Sequence, residues 1–158
     1  MLVEPAIADA FLATYKRMLW HVNDDEEPES ISDYHHLRAE ALEGDVARFR
    51  GIVDCDFVDC LKRAVSGEFI FLKKYKPGYV FYHIENQLYY QVRGLNSAIE
   101  NLAEEYSVVE TLILPYRGNL ICDGLIAKRG VYLGTNMARG LREGYWAARK
   151  SGGLVHDA

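Results

Sequence analysis

The sequence predicts an α+β fold in which N-terminal helices precede an antiparallel sheet, a meander at its start, that further helices interrupt and close. Three observations carry this expectation. Up to residue 66 apolar side chains recur every three or four residues, the period of one helix face. After Gly67 aromatic and branched residues fill short alternating runs separated by turn signals, the period of strands. The 158 residues, 49% hydrophobic and 26% charged, suffice for one domain with its own core, so 1–158 reads as a single domain with a helical part, 1–66, and a sheet part, 67–158.

Each element has a local reason. Over residues 5–22 Ile7, Phe11, Tyr15, Met18, Leu19 and Val22 form one stripe, and Pro5 suits a first helical turn. The polar run NDDEEPES ends this helix. Ser30 and Asp33 have capping-box spacing ahead of a second helix that Gly44 stops. A further helical stretch follows with a restart near Asp54, and Gly67 is expected to cap its C-terminus. EFIFLKKY, YVFYHIE and QLYYQVRG then read as strands joined at Pro77-Gly78 and Glu85-Asn86, so residues 79–85 should pair antiparallel with residues 68–75. NSAIENLAEEYS reads as a helix with Ile99, Leu102 and Tyr106 on one side. VVETLIL, NLICDGLIAK and GVYLG return to strand around a Pro-Tyr-Arg-Gly turn. Thr135 is the expected cap of a last helix with Met137, Leu141, Tyr145 and Ala148 as its buried stripe and Gly152 as its stop.

Charge is distributed unevenly. Residues 1–116 hold 11 Lys and Arg against 20 Asp and Glu, whereas residues 117–150 hold seven basic residues against Asp123 and Glu143. A basic C-terminal element on an acidic chain either faces the acidic half, keeps a helix in water, or marks a nucleic-acid footprint. Glu4 and Asp9 argue against an export signal, and no apolar run reaches the roughly 18 residues of a membrane span. Three cysteines without a CxxC pair predict reduced thiols. Cytoplasm is the expected compartment, and no membrane partner is expected.

Few residues combine into chemistry. In DCDFVDC the pairs Cys55 with Asp59 and Asp56 with Cys60 lie four apart, but the spacing fits no zinc pattern, and acids in a first helical turn favourably oppose the helix dipole. His35 and His36 face different directions on a helix, and His21 and His83 have no fixed geometry with them. No metal and no cofactor is expected, and no catalytic residue is assigned; Cys122 with a histidine lacks any motif context. The tyrosines say more. Tyr75, Tyr79, Tyr82, Tyr89 and Tyr90 crowd the meander beside Lys73, Lys74, Lys76 and Arg93, so the binding residues to expect are Tyr79, Tyr82, Tyr89 and Tyr90 on the sheet with Arg139 and Arg142 on the last helix.

Asp123 poses the sharpest question, because it is flanked by Leu120, Ile121, Leu125 and Ile126. A carboxylate there must accept hydrogen bonds from backbone amides or from an arginine, or else reach solvent. Gly124 beside it suggests a bulge whose stray amides the acid satisfies. Asp123, Gly124 and Pro115 are therefore expected to be structural.

The run LILPYRGNLICDGLI, with the later YLG and GYWAAR segments, resembles a pattern of uncharacterised bacterial proteins. Leu114, Pro115, Tyr116, Asp123, Gly124, Leu125, Gly134 and Tyr145 carry the likeness, which covers the last third of the chain. The resemblance implies an intracellular bacterial or phage protein and transfers no activity. Three function classes stay open. The first is a non-enzymatic module that holds a protein partner through the tyrosine-rich sheet, in regulation or as an immunity-type protein. The second is a nucleic-acid-associated protein using the basic helix, with Asp123 as metal ligand if it cleaves. The third is a small-molecule enzyme. Each is compatible with a homo-oligomer.

Overall fold

The computed structural model describes residues 1–157. Four helices surround an antiparallel six-stranded sheet: α1 (Pro5–Val22), α2 (Ile31–Leu42), α3 (Cys55–Lys62), β1 (Val65–Lys74), β2 (Tyr79–His83), β3 (Tyr89–Val92), β4 (Ser107–Tyr116), β5 (Asn119–Cys122), β6 (Ala127–Tyr132) and α4 (Thr135–Ser151). Among the described residues no helix is long and apolar enough to cross a membrane.

Both N-terminal helix starts follow their sequence signals. Pro5 opens α1, and Ser30 and Asp33 bond reciprocally as a capping box at α2. Asp54 caps α3, its carboxylate accepting the Phe57 amide at 2.8 Å. The stretch between α2 and α3 makes only a 3-10 turn, Val46–Phe49.

The strands run β3-β2-β1-β4-β5, and β6 continues along β4 beside β5. β1 and β2 pair antiparallel as expected, Phe69 opposite His83 and Lys74 opposite Tyr79. The sheet curls until its ends meet. The Arg93 amide donates to the Leu120 carbonyl at 2.9 Å, and the Cys122 amide donates to the Arg93 carbonyl at 3.2 Å, which joins β5 to the end of β3. Inside the curl Phe69, Phe71, Tyr79, Phe81, Tyr90, Val92, Val109, Ile113, Leu120 and Cys122 form one cluster. Burying each of the large side chains contributes about 1.5–3 kcal/mol. Outside the curl, α1 to α3 pack on Leu112, Leu114 and Tyr116 of β4, and α4 packs on Ile70, Leu72, Val80 and Tyr89.

Several local expectations are corrected. Gly67 is not a helix cap but lies within β1 at φ 123°, where an added Cβ would stand 3.3 Å from His83 Nε2. The expected helix after Asn96 is only the 3-10 turn Ile99–Asn101, because Ile99 and Ala103 must plug the end of the curl. Pro115 and Tyr116 belong to β4, and the hairpin turn is Arg117-Gly118, both at positive φ as a type I′ turn requires. Pro115 costs little there, since the β1 ladder already stops at Val65 opposite Ile113. Gly124 makes no bulge. β5 ends at Cys122, and Gly124 turns the chain at φ 84°. α4 starts after Gly134 without a side-chain cap from Thr135, and Met137 is 63% exposed, leaving Tyr145 as the buried anchor with Leu141 and Ala148 half-buried.

Candidate functional site

Asp123 lies just beyond β5, 2% exposed, where the helical part meets the open end of the curl. The buried stripe of α1 brings Tyr15 to it, and the Tyr15 hydroxyl donates to Oδ2 at 2.6 Å. Leu37, Arg38 and Ala41 form the buried side of α2. From there Arg38 Nη1 donates to both carboxylate oxygens, at 3.2 and 3.0 Å, and to the Leu125 carbonyl. The Leu125 amide donates to Oδ1 at 3.0 Å and the Thr111 hydroxyl at 3.3 Å. Both carboxylate oxygens are therefore occupied by donors, and one donor carries the compensating charge.

Electrostatics follows this geometry. Burial would lower the pKa of Arg38, but the charge and hydrogen bond of Asp123, together with Tyr15 and Cys122, outweigh it and the guanidinium is held more firmly protonated than usual. Burial, with the Asp123 charge adding to it, pushes the Tyr15 hydroxyl well up and the Cys122 thiol up to about 12. His35, whose Nδ1 lies 3.4 Å from Arg38 Nη2, is shifted below its ordinary value by partial burial and by the Arg38 charge. Tyr15, Arg38 and Cys122 thus hold their protons near neutrality, which suits a support for the carboxylate. A guanidinium on the carboxylate also opposes a second cation there.

Beside this network is a cavity of about 320 Å³ between α1, α2, the loop after β3 and the turn after β5. Its walls are largely apolar, with Leu12, Leu19, Leu95 and Leu102, while Tyr15 and Asp123 line its depth and Lys16 its rim.

The tyrosines expected to form a binding face are divided between two interiors. Tyr79 and Tyr90 pack inside the curl, and Tyr89 lies under α4 with Tyr82 half-buried beside it, their rings 4.9 Å apart. The Tyr89 hydroxyl donates to the Leu141 carbonyl at 2.9 Å. These four thus make no open sheet face, because α4 covers the outer side. The exposed groups lie on α4 itself: Arg139, Arg142, Trp146, Arg149 and Lys150. Tyr75 at the end of β1 connects them to the sheet. Its ring stacks on Tyr145 at 4.3 Å and meets Trp146 edge-on at 5.8 Å. Lys73 Nζ stands 5.2 Å from the Tyr75 ring and the Arg149 guanidinium 5.4 Å from the Trp146 ring. Burial raises the Tyr75 pKa, Tyr106 and Tyr145 add to the rise, and Arg142 opposes it. Among the described residues none of Lys73, Arg139, Arg142, Arg149 and Lys150 takes part in an ion pair.

The remaining candidates stay apart. Asp54 is spent as a cap, Cys55 is exposed and Cys60 buried. His83 is buried between the Ser66 carbonyl and the Asn86 amide, at 3.0 and 3.1 Å. Among the described residues no three of His, Cys, Asp and Glu gather as a metal-holding group. Sequence reasoning named neither Tyr15 nor Arg38 as a partner of Asp123. The available signal was Arg38 itself, a charge between the apolar positions Leu37 and Ala41 of α2. No family model, curated protein or solved structure matches the chain.

Proposed function

We propose that the chain is a non-enzymatic interaction module that holds an acidic segment of a protein partner on the outer surface of α4 and the end of β1. The observation that carries this reading is the group of unpaired cations around two aromatic rings, Lys73 at Tyr75 and Arg149 at Trp146, with Arg139 and Arg142 exposed on the same helix. Arginine over an aromatic ring supplies both a fixed donor fork and apolar area, the combination enriched at interface centres. Trp146, 43% exposed, gives the surface an anchor that charge alone would lack.

An acidic protein is favoured over nucleic acid because the chain as a whole carries a formal charge of −5, which repels an extended polyphosphate more than a short acidic segment. The saturated state of Asp123 also removes the carboxylate that a cleaving site would need.

The test measures binding of a synthetic Asp/Glu-rich peptide containing two leucines, and of a thymidine oligonucleotide, to the full chain at two salt concentrations. The reading expects salt-sensitive peptide binding that falls about tenfold or more in Arg139→Glu/Arg142→Glu, a variant of exposed residues outside every ion pair of the described residues, with its melt read beside the binding. Tighter oligonucleotide binding at both salts would favour nucleic acid instead. No binding of either probe would remove this surface as the site.

A further inference from the structure

We propose that the cavity at the open end of the curled sheet is a second site, which binds a small amphipathic carboxylic acid. Concave spaces with apolar walls and a few polar groups are the usual ligand sites, and about 320 Å³ is at the small end of their range of roughly 300–1,000 Å³. Such a space takes a body on the order of ten non-hydrogen atoms and excludes a helix, which is about 10–12 Å across with its side chains.

The walls choose the tail of the ligand. Leu12 and Leu19 of α1 line the cavity together with Leu95, Ile99 and Leu102, so the enclosed part of a ligand is hydrocarbon or aromatic. Its depth ends on Asp123, but that charge is spent. Tyr15, Arg38, Thr111 and the Leu125 amide already donate to the carboxylate, so a ligand meets a neutral assembly rather than a bare anion.

The rim chooses the head group. Lys16 is exposed there and outside every ion pair of the described residues. Exposed Asn96 and Ser97 bring an amide and a hydroxyl donor from the loop after β3. Tyr34 lines the same opening, and its hydroxyl accepts from Trp20 Nε1 at 3.1 Å, leaving its own proton to donate. These groups can donate to a carboxylate head, and the uncompensated charge of Lys16 favours it over an amine. This inference is independent of the α4 surface, which shares no residue with the cavity.

Octanoate, octanol and octylamine, titrated into the full chain by calorimetry, test it. Octanoate should bind with a dissociation constant on the order of 0.1 mM, octanol several-fold more weakly and octylamine weakest. Lys16→Glu, at an exposed position that leaves the melt unchanged, should weaken octanoate about tenfold and bring octylamine level with it or ahead. Leu102→Trp should block all three by filling the cavity. If that variant does not fold, the Lys16→Glu comparison decides alone. Absence of saturable octanoate binding to the parent, octylamine binding as tightly as octanoate, or an octanoate affinity unchanged in Lys16→Glu overturns the proposal.

Discussion

Tyr15 and Asp123, separated by 108 positions in the chain, are joined by a buried hydrogen bond of 2.6 Å that ties the first helix to the turn after β5. Arg38 makes the same connection from α2 at 3.0 Å. The carboxylate is thus shared by α1, α2 and, through Thr111, the sheet. Tyr15→Phe removes only the hydroxyl and leaves the ring in its contacts with Phe11 and Phe57. It should lower stability by about 1.5–3 kcal/mol, the range for a hydrogen bond to a charged group, as measured by urea denaturation.

His35 gives this network a pH dependence. Partial burial and the neighbouring Arg38 hold its folded pKa below the ordinary value, so the unfolded chain binds the proton more readily. Stability should therefore fall as pH drops below about 6.5, the unfolded value, and recover above it. His35→Asn should flatten that part of the curve when denaturation midpoints are compared at pH 7.5 and 5.5.

The seat of α4 depends on a close approach. A Cβ on Gly144 would stand 2.2 Å from the Tyr89 hydroxyl oxygen, while that hydroxyl is held by the Leu141 carbonyl. Gly144→Ala should therefore cost about 1–3 kcal/mol despite its gain in helix propensity. Tyr89→Phe added to Gly144→Ala should recover part of the loss, because it removes the atom in nearest conflict. Chemical denaturation of the two variants checks the order.

Thiol reactivity should follow burial. Cys55 is exposed, Cys60 is buried with its thiol pushed up by burial, and Cys122 lies inside the curl with its thiol pushed up to about 12. A disulfide-exchange reagent should label one thiol per folded chain at neutral pH and three after unfolding. Rapid labelling of Cys122 in the folded protein would mean that the curl is open at β5.

The fold was legible wherever local signals and burial agreed. The stripe from Phe11 to Leu19, the Ser30 to Asp33 box and the Pro77-Gly78 turn each state a local rule that the tertiary structure keeps. Gly67 and the segment after Asn96 depart from their local signals because their conformations are set by distant partners: His83 against the glycine, and the interior of the curl that takes Ile99 and Ala103. The tyrosines of β2 and β3 were legible as residues that alternate, but curling turns one alternating set into an interior, and α4 covers the other. The burial of Asp123 could be expected from its apolar neighbours. That an arginine or a backbone amide meets it follows from the cost of an unpaired buried charge, but which residues do so, Tyr15 and Arg38 among them, is settled only when the helices dock.

The claim that Asp123 is architecture is tested most directly by a double-mutant cycle on Asp123 and Arg38, read by urea denaturation beside binding of the acidic peptide. Asp123→Asn should cost about 1–3 kcal/mol, and Arg38→Met, which leaves the carboxylate uncompensated, about 3–5 kcal/mol. The double variant should fall short of their sum by about 1 kcal/mol or more, with peptide affinity per folded molecule unchanged throughout. A variant Asp123→Asn that unfolds like the parent and yet no longer binds the peptide would contradict the account and make the carboxylate a functional group.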